Sequence, residues 1–187
     1  MDYTMNEWIE HIKEECLKTN ETNPLKLFYK IAGMDFVRIH GPEHHFLDGA
    51  CILTVFHNAG GSINLAECLT RLTEQSVKMP GAMCGQWGVC GAVTSIGAAL
   101  AIIDNTGPLS KTDWGLHMQY TSKAVMEIAK TGGPRCCKRD AFFAIKTAVE
   151  FLNENYNVKI SAGDIKCAFS MRNEQCLKER CPFYGKN

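Results

Sequence analysis

The feature that most constrains this chain is an apolar stretch near its middle, from Val89 to Ile103. Its 15 residues are apolar or small, and they include Gly91, Thr94, Ser95 and Gly97. A membrane-spanning helix needs about 20 consecutive apolar residues, so this stretch is too short to cross a bilayer. It therefore predicts a helix buried in the core of the protein, against which other helices pack.

Apolar residues recur at helical spacing elsewhere in the chain, whereas strand-like alternation persists nowhere. We expect an all-α fold, a single cysteine-rich domain over residues 1–187 that forms a multi-helix bundle with glycine-rich, cysteine-bearing turns. The further predicted helices cover Met5–Leu17, Pro24 to near Gly33, Phe46–Phe56, Ile63–Val77, a start at Thr112 or Asp113 through Lys130, and a last segment that includes Phe142 and Leu152.

The net charge and the N-terminal sequence argue against two classes of protein: those that bind nucleic acid and those exported by a signal peptide. Lys and Arg together number 20, as do Asp and Glu, so the net charge is zero and no nucleic-acid partner is expected. The N-terminus carries acidic residues and has no apolar run behind a basic head, which argues against a signal peptide. We therefore expect a cytoplasmic protein without membrane association.

Ten cysteines are the outstanding feature of the composition. Thiols stay reduced in the cytosol, where clustered cysteines more often bind metal or do chemistry than form disulfides. Cys16, Cys51 and Cys68 lie on apolar faces of predicted helices, so we interpret them as core residues. The other seven fall in three motifs that carry candidate chemistry.

The first motif places Cys84 and Cys90 in a run of glycines that leads into the apolar helix. The glycines let the backbone approach a ligand closely. Cys90 lies near the start of the helix, where unpaired N–H groups and the helix dipole favour a thiolate. The alternative is that small residues here only permit close packing and that both thiols are incidental.

The second motif is "GGPRCCKRD", which places two adjacent thiols at another helix start. Positive charge on Arg135, Lys138 and Arg139 lowers the pKa of nearby thiols and can hold an anionic substrate. Adjacent α-carbons lie about 3.8 Å apart, too close for an ordinary disulfide between Cys136 and Cys137. Their side chains diverge by roughly 100° on a helix, so one of them is expected to face the site. The alternative is an exposed basic helix start.

The third motif is Cys167, Cys176 and Cys181, spaced C-x8-C-x4-C and followed by proline. A Cys-Pro closing a cysteine series occurs in some iron–sulfur sites, and zinc also accepts three or four thiolates. Asn173 and Gln175 can donate hydrogen bonds to bound sulfur. The alternative is that these thiols are buried or incidental.

A histidine motif, "HGPEHH", completes the candidates. His40 and His44 have the i, i+4 spacing that lets two imidazoles meet one metal ion, although Pro42 opposes a regular helix here. His44 or His45 can also donate a proton. Surface histidines are common, so the motif can equally have no chemical role.

These motifs together resemble an uncharacterised cysteine-rich domain family. They read "HGPEHHFLDGACILTVFHNAGG", "PGAMCGQWGVCGAVTSIGAALAI", "PLSKTDWGL", "GGPRCCKRDAFFAI" and "NEQCLKERCPF", and the resemblance covers about residues 38–184. The family is one of anaerobic bacteria and methanogenic archaea, found alone or joined to SAM-dependent methyltransferases. More distantly, "VCGAVTSIGAAL" and "RCC" are similar to small redox proteins with a CGxxxG helix and paired cysteines.

The leading expectation is an iron–sulfur protein, with a 4Fe-4S cluster, that acts in redox or sulfur-transfer chemistry on a small molecule. Cys84, Cys90, Cys136 or Cys137, and some of Cys167, Cys176 and Cys181 would surround one cluster, or supply a cluster and a second metal. His40 and His44 are further candidate metal ligands. His44 or His45 would donate a proton, while Arg135 and Lys138 would hold an anionic substrate. Two alternatives remain: a non-catalytic structural-zinc module that partners a methyltransferase, and a metal-free dithiol protein that uses Cys84 and Cys90. The sequence leaves enzymatic activity and oligomeric state open.

Overall fold

The computed structural model describes residues 4–111 and 113–185. Within these ranges the chain forms eight α-helices and two 3-10 helices, and no strand, which confirms the all-α prediction. The α-helices are α1 (Met5–Leu17), α2 (Pro24–Ala32), α3 (His44–Asn58), α4 (Leu65–Ser76), α5 (Met83–Gln86), α6 (Gly91–Ile103), α7 (Asp113–Thr131) and α8 (Cys137–Asn155).

Helix α3 is the central element of the fold. Every residue from His44 to Phe56 is buried, so the helix has no face toward solvent. It contacts α1, α2, α4, α6 and α8, and its most extensive packing is against α6. The apolar stretch that predicted a buried helix is α6, and it is indeed packed between neighbours, but α3 is the more completely enclosed of the two.

Helix boundaries near the cysteine motifs decide where the thiols lie. Helix α3 begins two residues before its predicted start, which brings His44 and His45 into its first turn. The glycine run contains a short helix, α5, that the sequence did not predict. Cys90 is the N-cap of α6 and Cys136 is the N-cap of α8, so both predicted helix starts carry a thiol at the cap. The predicted cap Thr112 lies outside the described residues.

The segment that follows α8 is mostly irregular. It contains two 3-10 helices, Ser170–Arg172 and Lys178–Arg180, and one parallel bridge between Cys167 and Tyr184. Phe169 anchors it by stacking on Tyr29 at a centroid distance of 5.8 Å. The Tyr29 hydroxyl also donates to the carbonyl of Lys166 at 2.6 Å. Aromatic packing therefore holds this segment against α2 and α8.

The three cysteines predicted to be structural lie in the core. Cys16 and Cys51 are fully buried and Cys68 is almost so. Burial raises the pKa of Cys16 to about 12 and raises that of Cys51 well above its ordinary value, so both remain neutral thiols. In the part of the chain that the structure describes, no helix combines the length and the apolar composition needed to cross a membrane.

The contact between α3 and α6 generates a first prediction. A Cβ atom at Gly49 would lie 2.5 Å from the backbone oxygen of Ser95, whereas one at Gly115 on α7 would meet nothing within 4 Å. Gly49→Ala should lower the free energy of unfolding by about 1–3 kcal/mol, because the two helices must move apart. Gly115→Ala should instead raise it by up to about 1 kcal/mol, since alanine is the better helix former.

Urea denaturation followed by circular dichroism measures both changes. Equal effects of the two substitutions would contradict the packing seen between α3 and α6.

Candidate functional site

The structure divides the seven remaining cysteines between two cavities that lie on either side of the start of α8. One cavity, of about 170 Å³, is lined by three thiols and three histidines, and we call it the thiol–histidine cavity. The other closes around about 10 Å³ and is lined by four thiols, and we call it the four-cysteine cavity. The first contains Cys84, Cys90, Cys137, His40, His44 and His45, and the second contains Cys136, Cys167, Cys176 and Cys181.

The adjacent pair Cys136 and Cys137 separates the two cavities. Cys136 caps α8 and faces the four-cysteine cavity, while Cys137 begins the helix and faces the thiol–histidine cavity. The divergence of the two side chains is the one expected for neighbouring residues at a helix start. Both thiols therefore face a candidate site, and neither site collects all seven cysteines.

The four-cysteine cavity already supplies hydrogen bonds to sulfur. Cys136 Sγ accepts from the backbone N–H of Arg139 and from Asn173 Nδ2, each at 3.4 Å. The backbone N–H of Phe169 donates to Cys167 Sγ at 3.4 Å, and that of Lys178 donates to Cys176 Sγ at 3.3 Å. Asn173 thus donates to a cysteine sulfur, while the backbone N–H of Gln175 donates to Asn173 Oδ1 at 2.9 Å.

Arg139 adds a buried positive charge at the wall of the same cavity. Its side chain is 4% exposed, and its Nε donates to Asp140 at 3.0 Å. Its Nη1 is buried and has no hydrogen-bond partner among the described residues. Burial raises the pKa values of Cys136 and Cys167, which the N–H donors to each sulfur oppose.

Between residues 4 and 185, Thr112 excepted, no three His, Cys, Asp or Glu side chains are arranged to hold a metal ion as they stand. Thiols that share a cavity would have to turn toward a metal that entered it.

In the thiol–histidine cavity, Cys90 is linked to a carboxyl group that the sequence reading missed. Its thiol donates to Asp140 Oδ2 at 3.7 Å, and Asp140 in turn accepts from Arg139. Burial, reinforced by Asp140, raises the pKa of Cys90, and burial raises that of Cys137 to about 12. These thiols are protonated at neutral pH unless a metal or another cation binds them, so burial outweighs the effect of the helix start.

His44 and His45 are neighbours on α3 but have different surroundings. Lys138 Nζ lies 3.0 Å from His44 Nε2, and His44 Nδ1 faces Asp48 at 3.5 Å, so both ring nitrogens have partners. His45 Nδ1 faces the carbonyl of Met79 at 3.2 Å, while its Nε2 has no partner among the described residues. A Cβ at position 91 would lie 2.2 Å from that Nε2, so only glycine lets His45 reach the start of α6. His45 is the better placed proton donor.

His40 links the two cavities rather than joining His44. Its Nε2 lies 3.0 Å from Asn173 Oδ1, on the same amide that donates to Cys136. The two histidines of the i, i+4 pair therefore have different partners: Asn173 for His40, and Lys138 and Asp48 for His44.

Lys138 is fully buried beneath the thiol–histidine cavity and does not line it. Its ammonium donates to the carbonyls of Ala32 and Arg38, at 3.3 and 3.0 Å, in addition to its contact with His44. It cannot reach a substrate, so Arg135 alone remains of the two predicted anion-binding residues.

Comparison with known families adds one finding to this geometry. The model of a family of unknown function, DUF5714, matches residues 12–184. The chain belongs to this family. Among curated proteins and among solved structures, none matches the chain. The DUF5714 match reaches further toward the N-terminus than the motifs at 38–184, and includes the last turns of α1, from residue 12 onward.

Asp48 and Asp140 are the site residues that sequence reasoning missed in this DUF5714 protein. Each carried a signal in the sequence, because Asp48 follows His44 by one helical turn within an otherwise apolar helix, and Asp140 lies one turn into α8. Burial raises the pKa of both carboxyl groups. Asp48 Oδ2 is buried without a hydrogen-bond partner among the described residues.

The burial of Lys138 generates a second prediction. Burial lowers the pKa of this lysine from 10.5 to about 8. Between these values the unfolded chain still binds the proton that the folded lysine has lost, so Lys138 contributes a free energy of unfolding that rises with pH in this window. The buried thiols, whose pKa values are raised, contribute with the opposite sign in wild type and variant alike. Lys138→Met should remove that rise, a change in slope of at most about 1.4 kcal/mol per pH unit.

Denaturation curves at pH 8, 9 and 10 measure the slope. Lys146→Met, an exposed change on the same helix, should keep the wild-type pH dependence. If the free energy of unfolding changed with pH by the same amount in the wild type and in Lys138→Met, the assigned burial of the charge would be contradicted.

Proposed function

We propose that this protein binds an iron–sulfur cluster in the four-cysteine cavity and uses it in redox or sulfur-transfer chemistry on a small molecule in the thiol–histidine cavity. The observation that carries the proposal is that Cys136 and three cysteines from the segment after α8 line one cavity, where three of the four accept N–H hydrogen bonds. Cys136, Cys167, Cys176 and Cys181 are the proposed ligands, a full set for a 4Fe-4S cluster.

Hydrogen bonds to sulfur are a general feature of cluster sites, because they stabilise thiolate charge and tune the reduction potential. The cavity supplies such donors from backbone and from Asn173. Arg139 adds a cation whose Nη1 is free to donate to cluster sulfur. A cluster held by four thiolates is anionic, so a buried guanidinium at the wall of the cavity offsets part of its charge.

With four protein ligands the cluster would serve as an electron carrier rather than as a Lewis acid. Cys136 and Cys137 are joined by one peptide bond and face the two cavities, which gives electrons a short path between them. Cleavage of a sulfur–sulfur bond in the thiol–histidine cavity takes up two electrons and two protons. The electrons would come one at a time through the cluster from an external one-electron carrier. His45 in its imidazolium form can supply one proton from Nε2, and solvent supplies the other and reprotonates the ring.

A structural zinc ion is the second candidate, favoured by the size of the four-cysteine cavity. A volume of about 10 Å³ accommodates a single ion without further opening, and four thiolates are a usual zinc ligand set. The protein would then be a non-catalytic module, for which a methyltransferase is the partner that the family resemblance implies. A metal-free dithiol reaction is less favoured, since burial raises the pKa of Cys90.

Metal content and the visible spectrum of protein purified without oxygen test the proposal. We expect about four irons per chain and broad visible absorption that dithionite bleaches. A colourless protein with one zinc would establish the structural alternative, and a protein without metal would contradict both.

Single substitutions then assign the ligands, as a third prediction. Cys167→Ser and Cys176→Ser should each remove more than half of the bound metal, because a missing thiolate leaves the set incomplete. Cys68→Ser, at a cysteine on α4 outside both cavities, is the matched control and should keep it. Cys90→Ser should also keep it, and loss of metal in that variant would mean that the thiol–histidine cavity binds metal as well.

A further inference from the structure

A third cavity adjoins the thiol–histidine cavity and extends it toward α7. It encloses about 340 Å³, and the two cavities share four lining residues, Cys84, Cys90, Arg135 and Asp140. Its opposite wall is formed by Val125, Ile128 and Ala129 on α7. The two cavities therefore form a passage with thiols at its middle and an apolar surface at one end.

Arg135 is the cation available to a ligand in this passage. It is exposed, and it makes no ion pair or hydrogen bond with any described residue. Arg139 also lines the third cavity, but its unpaired Nη1 is the group assigned above to the four-cysteine cavity. The other nearby cations are engaged. Arg38 is paired with Glu43 at 2.8 Å, and Arg139 with Asp140 at 3.0 Å. Lys138 is buried on backbone carbonyls. The carboxyl of Asp140 also lines the passage, but it is bound to Arg139 and accepts from Cys90.

The passage has room for a chain of carbon atoms along α7. Gly85, Gly88, Gly132 and Gly133 line it, and a Cβ at any of these positions would meet nothing within 4 Å. Val125 and Ile128 are half-buried, with one side of each side chain packed on the core and the rest available to a ligand.

We propose that the passage binds an organic carboxylate that carries an apolar chain. The carboxylate pairs with Arg135, the chain lies on Val125 and Ile128, and the atoms between them lie beside Cys84 and Cys90. An anion opposite an arginine and an apolar group on an apolar wall are the complementary contacts that such a passage supplies. This inference rests on the proposed function, for which it names the class of small molecule.

Alkylating carboxylates test the proposal on the full-length protein as purified without oxygen. The probes are 2-bromooctanoate, the shorter 2-bromopropionate, and the neutral amide of each. In the labelling step a cysteine sulfur forms a bond to the α-carbon, the carbon–bromine bond breaks, bromide leaves, and the thiol proton passes to water. Tandem mass spectrometry follows the rate of labelling at Cys84 and Cys90.

We expect 2-bromooctanoate to label Cys84 or Cys90 faster than its amide and faster than 2-bromopropionate. Arg135→Gln should lower the acid-to-amide rate ratio about tenfold, as loss of a charged hydrogen bond does. Arg71→Gln, on α4 and outside the passage, should leave the ratio unchanged. Ile128→Ala should reduce the preference for the longer chain about threefold or more and leave the acid-to-amide ratio intact.

Equal rates for acid and amide, or a ratio that survives Arg135→Gln, would overturn the proposal. So would a preference for the longer chain that Ile128→Ala leaves unchanged. Iron content and visible absorption are measured on the same samples, so that failure of this proposal is distinguished from failure of the cluster proposal. Labelling without the expected preferences in a protein that holds iron overturns only the carboxylate site. Labelling with those preferences in a protein without iron overturns only the cluster.

Discussion

The structure depends on a helix that has no solvent-exposed face. Helix α3 is enclosed by five others, yet its first two turns carry His44, His45 and Asp48. Polar groups at such depth are stable only when other polar groups meet them. Lys138 from the start of α8 meets His44, and His45 reaches the carbonyl of Met79. The need to satisfy these groups brings α8 and the glycine run to the same end of α3.

Assembly of that end of the bundle explains why the cysteines collect there. Helix α6 and helix α8 both begin beside α3, and each has a cysteine as its cap. Because α8 begins with two adjacent thiols, a single helix start contributes to two separate cavities. Asn173 and His40 connect the cavities a second time, through one amide that faces a thiol and an imidazole. The Asn173 amide that donates to Cys136 in the four-cysteine cavity therefore also contacts His40, which lines the thiol–histidine cavity.

Much of the fold was predictable, since helical periodicity, Pro24, and the apolar stretch of α6 are local signals. The three core cysteines were also predictable from their helical faces. The division of the remaining seven was not, because it depends on how Cys136 and Cys137 are oriented by contacts from residues far away in sequence. Lys138 shows the same limit: its charge predicted a surface cation, and only the packing of α2 and α3 over it makes it a buried one. Asp48 and Asp140 carried visible spacing signals, and each has a partner close in sequence, His44 and Arg139 respectively. The thiol that donates to Asp140, however, comes from Cys90 at the start of another helix.

The irregular segment after α8 has a consequence for the order in which the protein is made. Seven of the ten cysteines and the eight α-helices of the described ranges precede residue 156, whereas Cys167, Cys176 and Cys181 follow it. The helical bundle can thus assemble around α3 as the chain leaves the ribosome, with Cys136 presented at its surface. Residues 156–185 then close over that thiol through Phe169 and three further thiols. A cofactor that uses all four thiols of the four-cysteine cavity can therefore be inserted only after this segment has been made, because three of the four thiols lie within it.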